Sequence, residues 1–456
     1  MNDLLNSVFS NDTLLLPGSD LVVARQERPL VIKSGRGIHV FDEHGREYIE
    51  AVAGFSCVSL GFSEEALVEA ATRQMRALPM SPHAHNRSTG IVMELADRLS
   101  ALSPVKNARI AFATNGSEAN DNLVKMMWYA NGHAGESRRR KIISRRSSYH
   151  GSSIFTAGMG GTEAGQRAYG IPLGDHIHVS QPFGAAPGET DPNYVARLAA
   201  ELCAAIEQAD PSTVAAFIAE PMSFSADVCI PPPGYFPAMK RVLDEYGIAL
   251  IADEVLTGAG RTGEFWGCTS FDIQPDFVTS SKGLSSAYQA ISAIFMSPDF
   301  YDRLERASVA HGWYSHTSTY QAHPVAVAVA LKVLDIWEER DLVGHVRNVS
   351  PYFKRAIATL EDHPLVAGTR SFGLMSGVML RPAGTPGATL VGTQPPSGIA
   401  RAVYEEAFNH GLILRTGTDM VKMTPPIIIT TQEIDELVAR LRRTLDAVLS
   451  QRGASA

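Results

Sequence analysis

Four short segments carry residue types that can do chemistry. Lys282 sits in "DFVTSSKGLSS", after an apolar run and among small residues. An amine in such a setting loses its water, drifts toward neutrality and can form a Schiff base. Asp253 closes the apolar run of "IALIADEVLTG", where a carboxylate is either a desolvated site group or the polar end of a strand. Val255, two residues on, points to the same side if the chain stays extended. In "ATNGSEAND", Gly116 and Ser117 stand where an apolar strand gives way to a helix. The free N–H groups and partial positive charge of a helix N-terminus hold phosphate well, and Asn115 and Ser117 add side-chain donors. In "SSYHGSS", Tyr149-His150-Gly151 turns after another strand, and an aromatic beside glycine can lie flat on a planar ligand. Each segment alone also has an ordinary reading: Ser117 capping Asn120 at a helix start, a turn tyrosine, a polar strand end, a solvated loop lysine.

The rest of the chain supplies strands that could bring these residues to one edge. "RIAFAT" (109–114), "KIIS" (141–144), "TVAAFIAE" (213–220), "IALIAD" (248–253), "DFVTS" (276–280) and "ISAIFM" (291–296) are near-continuous apolar runs without polar alternation. Such runs suit a mostly parallel sheet covered by helices on both faces, so the expected class is α/β. Helical patterns run over 63–78, 88–102, 117–129 and 236–246, with Pro79 and Pro82 breaking the first from the second. The first 60 residues read as an irregular arm with a hairpin turning at His44-Gly45. A long helix from Pro324 leads to a second unit. It holds a helix over "DLVGHVRNVSPYFKRAIATLEDH", strands in "GLMSGVML", "GLILRT" and "DMVKMTPP", and an amphipathic C-terminal helix with Leu437, Leu441, Leu445 and Leu449 on one face. Arg381–Ser397 reads as a loop insertion. The expected division is 1–60 as an N-terminal arm belonging to a small domain, 61–330 as a large cofactor-binding domain and 331–456 as the C-terminal small domain.

Composition narrows the classes. The 456 residues include 40 Lys+Arg and 48 Asp+Glu, a formal net charge of −8, with 45% hydrophobic and 19% charged residues. That excludes a disordered or fibrous chain and argues against a dedicated nucleic-acid binder. The four cysteines form no C-x-x-C pair, which fits a reducing cytoplasm better than a disulfide framework or structural zinc site. No signal peptide is evident, and no apolar run reaches the roughly 18 residues of a membrane span. "GMGGTEAG" resembles a dinucleotide fingerprint but has Glu163 in place of the third glycine and no preceding strand. His83/His85 and His176/His178 lack a third metal ligand nearby, so no metal is expected. The basic "RRRKIISRR" reads as solvated charges at the ends of a strand.

Together, a phosphate cradle, an aromatic platform, an aspartate and a lysine at the carboxyl ends of parallel strands match one cofactor. Pyridoxal 5′-phosphate needs N–H donors for its phosphate, a carboxylate for its ring nitrogen and an amine for its aldehyde. Here the sequence resembles the class III aminotransferases, the fold-type I family that includes the ω-amine:pyruvate transaminases. The resemblance runs from about Gly35 to the C-terminal helix and is carried by "PPPGYFPAMKRVLDEYGIALIADEVLTGAGRTGEFWG", "SSKGLSSAYQAISAIF" and "HTSTYQAHPVA". It implies a large domain with a mostly parallel seven-stranded sheet and a smaller α+β domain. It also implies Lys282 as the Schiff-base lysine, Asp253 on the ring nitrogen, Tyr149 and Val255 on the two ring faces, and Asn115, Gly116 and Ser117 at the phosphate. His150 and Glu220 count with the cofactor-binding residues. Thr319 would complete the phosphate site of the other subunit in a homodimer, and Arg415 would receive a substrate carboxylate.

The chain departs from the family in places. Asn115 replaces the first serine of the phosphate segment. Ser56, in Gly54-Phe55-Ser56-Cys57, stands where many amine-specific members carry tryptophan, so Phe55 and Ser56 enter the substrate wall. His83 and His85 occupy a stretch that is often aromatic, which hints at a polar or anionic donor. The expected activity is ping-pong transfer of an amino group from a primary amine or ω-amino acid to pyruvate or a similar keto acid. The alternatives are a decarboxylase, racemase or aminomutase on the same fold, or an inactive cofactor-binding module. No nucleic-acid or membrane partner is expected.

Overall fold

The computed structural model describes residues 14–26, 29–160, 163–184, 189–381, 398–417 and 419–453. Strands β1 (Ile32–Arg36), β2 (His39–Asp42) and β3 (Glu47–Glu50) form an antiparallel meander. The β2–β3 hairpin turns where expected, with Asp42 Oδ1 accepting the amides of His44 and Arg46 at 2.9 Å each.

The main sheet comprises β4 (Arg109–Ala113), β5 (Lys141–Arg145), β6 (His176–Val179), β7 (Val214–Ala219), β8 (Ala249–Asp253), β9 (Phe277–Ser280) and β10 (Ser292–Met296). Its order is β4-β10-β9-β8-β7-β5-β6. Successive residues of the apolar strands feed two separate cores. Phe217, Leu250, Ala252, Val278 and Phe295 pack on one face, and Ala216, Ile218, Ile251, Phe277 and Ile294 on the other. A strand buried on both faces has no need of polar alternation, which is why these runs look continuously apolar. Each large side chain so buried contributes about 1.5–3 kcal/mol. Helices Gly90–Leu102, Asp191–Ala209, Tyr235–Glu245 and Pro324–Glu339 cover the first face, and Gly116–His133 and Pro298–His311 cover the second.

The sheet is mostly parallel, as the sequence reading expects, with one exception. Strand β10 is antiparallel to both neighbours while the other six share one direction. The link from β9 to β10, residues 281–291, contains one 3-10 turn and no α-helix, too little for a parallel crossover. Strand β6, "HIHV", was not anticipated because two half-buried histidines break its apolar pattern.

A second core joins distant parts of the chain. Ile38 and Ile49 of the N-terminal meander pack with Val346 and Phe353 of helix Leu342–Ala358 and with Leu437, Leu441 and Leu445 of helix Thr431–Gly453. Strands β11 (Val366–Phe372) and β12 (Met375–Leu380) pair antiparallel. The single strand expected over "GLILRT" is two: β13 (Leu412–Ile413) lies parallel beside β3, and β14 (Arg415–Thr416) pairs antiparallel with β15 (Met420–Met423). Leu414, 3% exposed, plugs the core between them while the chain changes sheets. Of the expected loop insertion, residues 382–397 lie outside the described residues.

Candidate active site

The carboxyl ends of β5, β7, β8 and β9 converge on a polar cluster. Asp253, 4% exposed, ends β8. Its Oδ2 accepts from Asn120 Nδ2 at 3.0 Å and lies 2.8 Å from His150 Nδ1, and its Oδ1 accepts the amide of Val255 at 3.1 Å. Asn120 is fixed in turn: its Nδ2 also donates to the carbonyl of His150 at 2.8 Å, and its Oδ1 accepts from Thr279 Oγ1 at 2.8 Å. Glu254 turns the opposite way, into the core, where Gly267 and Cys268 donate backbone N–H groups to it. Strand alternation thus separates two adjacent carboxylates, one for the site and one for structure.

Glu220 follows β7 and holds a second buried network. Its Oε1 accepts from the Tyr149 amide at 3.0 Å and Ser223 Oγ at 2.9 Å, and its Oε2 pairs with Arg145 at 2.9 Å. Arg145, the last residue of β5, is fully buried. The expectation that the charges of "RRRKIISRR" are all solvated therefore fails at this residue. Arg138 and Arg146 do reach surface carboxylates, but the strand delivers Arg145 to the interior. Tyr149 stays 43% exposed. His150 Nε2 is buried with no hydrogen-bond partner among the described residues, 3.9 Å from Glu220 Oε2.

Lys282 follows β9 at φ 41° and opens the 3-10 turn Lys282–Leu284. Non-glycine residues rarely hold such a left-handed conformation outside functional sites. The side chain keeps some accessible surface, yet protein crowds its amine, and burial pushes its pKa down to about 8. The charges of Asp253 and Cys57 pull it up, and Arg415 and Arg261 push it down further. Gly283 permits a close approach, but to protein: a Cβ there would lie 2.8 Å from that of Ala259.

Helix Gly116–His133 begins beside this cluster. Its N-cap is Asn115, whose Oδ1 accepts the Glu118 amide at 3.0 Å. The ordinary reading that put the cap at Ser117 is therefore two residues out, and Ser117 Oγ instead accepts the Ser152 amide at 3.1 Å. Gly116 fits closely here, since a Cβ would sit 3.0 Å from both Val255 methyls and push them aside. The amides of Gly116 and Ser117 have no preceding turn to donate to.

Arg415, at the start of β14, is half-buried, and burial lowers its pKa. Its guanidinium lies 5.8 Å from the centre of the exposed Phe55 ring. No carboxylate pairs with it among the described residues. Ser56 is 3% exposed with its hydroxyl 2.7 Å from Thr424 Oγ1, so its side chain faces protein. His85 is exposed and stacks on Trp313 at 6.4 Å, while His83 Nδ1 lies 2.9 Å from Ser88 Oγ. Thr319 is exposed, and among the described residues no hydrogen bond joins it to Gly116 or Ser117 of its own chain. The His176 ring packs tilted against Phe155, with centroids 4.4 Å apart, and His178 Nε2 lies 3.0 Å from the Gly158 carbonyl. Among the described residues no group of three or more potential metal ligands forms.

The structure therefore unites Lys282, Asp253, His150, Tyr149, Glu220, Val255, Gly116, Ser117 and Arg415, and leaves His85 and Thr319 outside. The sequence reading missed Asn120, Thr279 and Arg145 as anchors. Asn120 lies in the phosphate segment already singled out, but nothing local marks its partner, 133 positions on.

An amine close to neutrality, an anchored carboxylate and unclaimed helix-start amides suit pyridoxal 5′-phosphate, and the partnerless His150 Nε2 leaves a polar atom for a ligand-side group. Set at the carboxyl edge of this sheet, they define a pyridoxal-phosphate enzyme of fold-type I. Comparison with known proteins narrows that class. The family model "Aminotransferase class-III" matches residues 22–445. Gamma aminobutyrate transaminase 3, chloroplastic, of Solanum lycopersicum is 36% identical over 97% of this chain and 86% of its own. The omega transaminase of Pseudomonas jessenii in complex with PMP is 37% identical, covers 97% of this chain and 98% of its own, and superposes with a TM-score of 0.92. A thermostable omega transaminase variant engineered for asymmetric synthesis of bulky amines reaches 0.93 at 37% identity, over 98% and 100% of the two chains. The chain belongs to the class III aminotransferase family and is a pyridoxal-phosphate-dependent transaminase.

Proposed function

We propose that this site moves an amino group from a primary amine or ω-amino acid to pyruvate or a similar keto acid, with Lys282 as the proton-moving base and Asp253 as the counter-charge of the cofactor ring nitrogen. The carrying observation is a lysine amine whose pKa burial lowers to about 8, in the field of a carboxylate held by Asn120, His150 and the Val255 amide. When bound, the cofactor supplies an electron sink for the pair released at the substrate carbon. Asp253, anchored on three sides, keeps its charge aimed in one direction. Lys282 Nζ, with a pKa near working pH, takes a proton from the amine-bearing carbon and returns it nearby. The Gly116 and Ser117 amides would hold the phosphate, with Asn115 at the cap, and Tyr149 and Val255 would flank the ring. Glu220, fixed by Arg145, supports the Tyr149–His150 turn.

Among the described residues no carboxylate pairs with Arg415, which supports its receiving one from substrate and favours donors or acceptors bearing an anionic end. The relatives named for gamma aminobutyrate fit this reading. His83 and His85 make no contact with Arg415, so the anionic preference rests on the arginine. Exposed Thr319 would complete the phosphate site of a second copy, making the enzyme a homodimer. The shared core of the N-terminal meander and the C-terminal part supports a small domain built from both, outside a cofactor-binding domain over 61–330. Among the described residues no helix is long and apolar enough to cross a membrane. The four cysteines are unpaired, which supports a reducing compartment such as the cytoplasm.

The test is a half-reaction. Amine donors added to the loaded enzyme should change the cofactor's absorbance and yield the matching carbonyl product, and Lys282→Ala should abolish this. Release of carbon dioxide, racemised donor or no change with any donor would sink the proposal in favour of another reaction or an inactive binding module.

A further inference from the structure

Arg415 has an unusual neighbour. In the β14–β15 pair it stands opposite Lys422, and directly opposed residues of an antiparallel pair share a face. Two cations so placed repel, yet Lys422 is 4% exposed and turned inward. Asp227 makes this tolerable. Its Oδ1 lies 2.9 Å from Lys422 Nζ, which also donates to the Ser225 carbonyl at 2.9 Å. The Phe224 ring lies 6.0 Å from the ammonium.

The carboxylate is placed at a conformational cost. Asp227 has φ 48° and Val228 φ 55°, left-handed values that a β-branched valine rarely adopts. The turn is held by Arg370, which donates to the Asp227 carbonyl at 2.9 Å, and by the Ser223–Cys229 backbone pair. The same loop begins at Ser223, whose hydroxyl donates to Glu220. Burial and, more weakly, Arg415 disfavour the charge on Lys422; Asp227 offsets them only in part, and the pKa stays below the ordinary lysine value.

We propose that Lys422, pinned by Asp227, is a specificity-determining residue. Its ammonium stands behind Arg415 and adds positive potential where a substrate carboxylate docks, so the site prefers carboxylate-bearing substrates to neutral amines of the same length. Asp227, paired with Lys422 at 2.9 Å, holds that ammonium in place. This rests on the reading of Arg415 as the receiver of a substrate carboxylate.

The test compares 4-aminobutyrate with n-butylamine, which differ in the carboxylate, in the half-reaction of the holoenzyme, with glutarate inhibition as a second readout. Lys422→Met should raise KM for 4-aminobutyrate and the inhibition constant of glutarate by about tenfold, the order expected when one unit charge near the docking point is lost at an effective dielectric constant of about 20. The limiting rate and the n-butylamine parameters should stay within about twofold. The double variant Lys422→Met/Asp227→Asn, which leaves no lone buried charge, should lose less than about twofold, because an acid 2.9 Å from the ammonium cancels most of its field. An unchanged ratio between the two amines in Lys422→Met, or equal loss for both amines, overturns the proposal. If Lys422→Met fails to fold, Lys422→Gln, which keeps a polar partner for Asp227, is measured in its place and decides by the same outcomes. Arg415→Ala separates the two readings. If it leaves the ratio unchanged, the reading of Arg415 itself fails; if it collapses the ratio while the Lys422 variants do not, only the role of Lys422 fails.

Discussion

The strained, desolvated amine of Lys282 should be a measurable burden on the apoprotein. Its pKa falls from the ordinary 10.5 to about 8 in the fold. A depressed lysine means that the folded state resists protonation. Below pH 8 both folded and unfolded chains carry the proton, and the folded state bears the full penalty. Between pH 8 and 10.5 only the unfolded chain still holds it, so stability rises with pH; above 10.5 the penalty is gone. At 1.36 kcal/mol per unit the penalty at pH 7 is about 3 kcal/mol. Lys282→Met keeps the length and the φ of 41° while removing the charge, so backbone strain cancels in the comparison. For a chain of this size the gain corresponds to a melting-temperature rise of about 3 °C. Scanning calorimetry of the two apoproteins from pH 6.5 to 10.5 reads it directly. Lys282→Met should melt higher at pH 7, and the gap should close toward pH 10.5. No gap at pH 7, or a gap unchanged at pH 10.5, would refute the desolvation argument.

The same pKa sets cofactor uptake. About 10% of the amine is neutral at pH 7, against about 0.03% for an ordinary lysine, so the stopped-flow rate of pyridoxal-phosphate attachment should climb with pH and level off above about 8. Asn120→Ala leaves Thr279 Oγ1 and the His150 carbonyl unpaired beside Asp253. It should lower stability by about 1–3 kcal/mol and weaken cofactor binding, read by denaturation and cofactor titration. Arg145→Met strands the buried Glu220 carboxylate and should cost about 3–5 kcal/mol in denaturant unfolding, most of it recovered in Arg145→Met/Glu220→Gln. Gly116→Ala drives a methyl against both Val255 methyls. It should weaken cofactor affinity, with Val255→Ala restoring it in equilibrium titration.

What is written locally was legible. Apolar runs ending in Asp253 and just before Lys282, and the Asn115-Gly116-Ser117 junction between strand and helix, announce themselves because strand burial and helix starts depend on a few adjacent residues. The same logic erred where a local rule met a tertiary exception. Two half-buried histidines hid β6, "GLILRT" changes sheets at Leu414, and Arg145, read as a solvated strand end, lies buried against Glu220.

The sequence alone settled which chemistry was on offer: an amine, an acid and a phosphate cradle at strand ends of an α/β sheet, with a family likeness that named the cofactor. Tertiary structure alone decided their state. The proton balance of Lys282 depends on how densely unrelated segments crowd it. The aim of Asp253 depends on Asn120 and His150, more than a hundred positions earlier. The opposition of Arg415 and Lys422 depends on strand register. Desolvation, hydrogen-bond partners and cross-strand neighbours are properties of assembled space, and short-range patterns in a chain carry no record of which distant side chains will fill it.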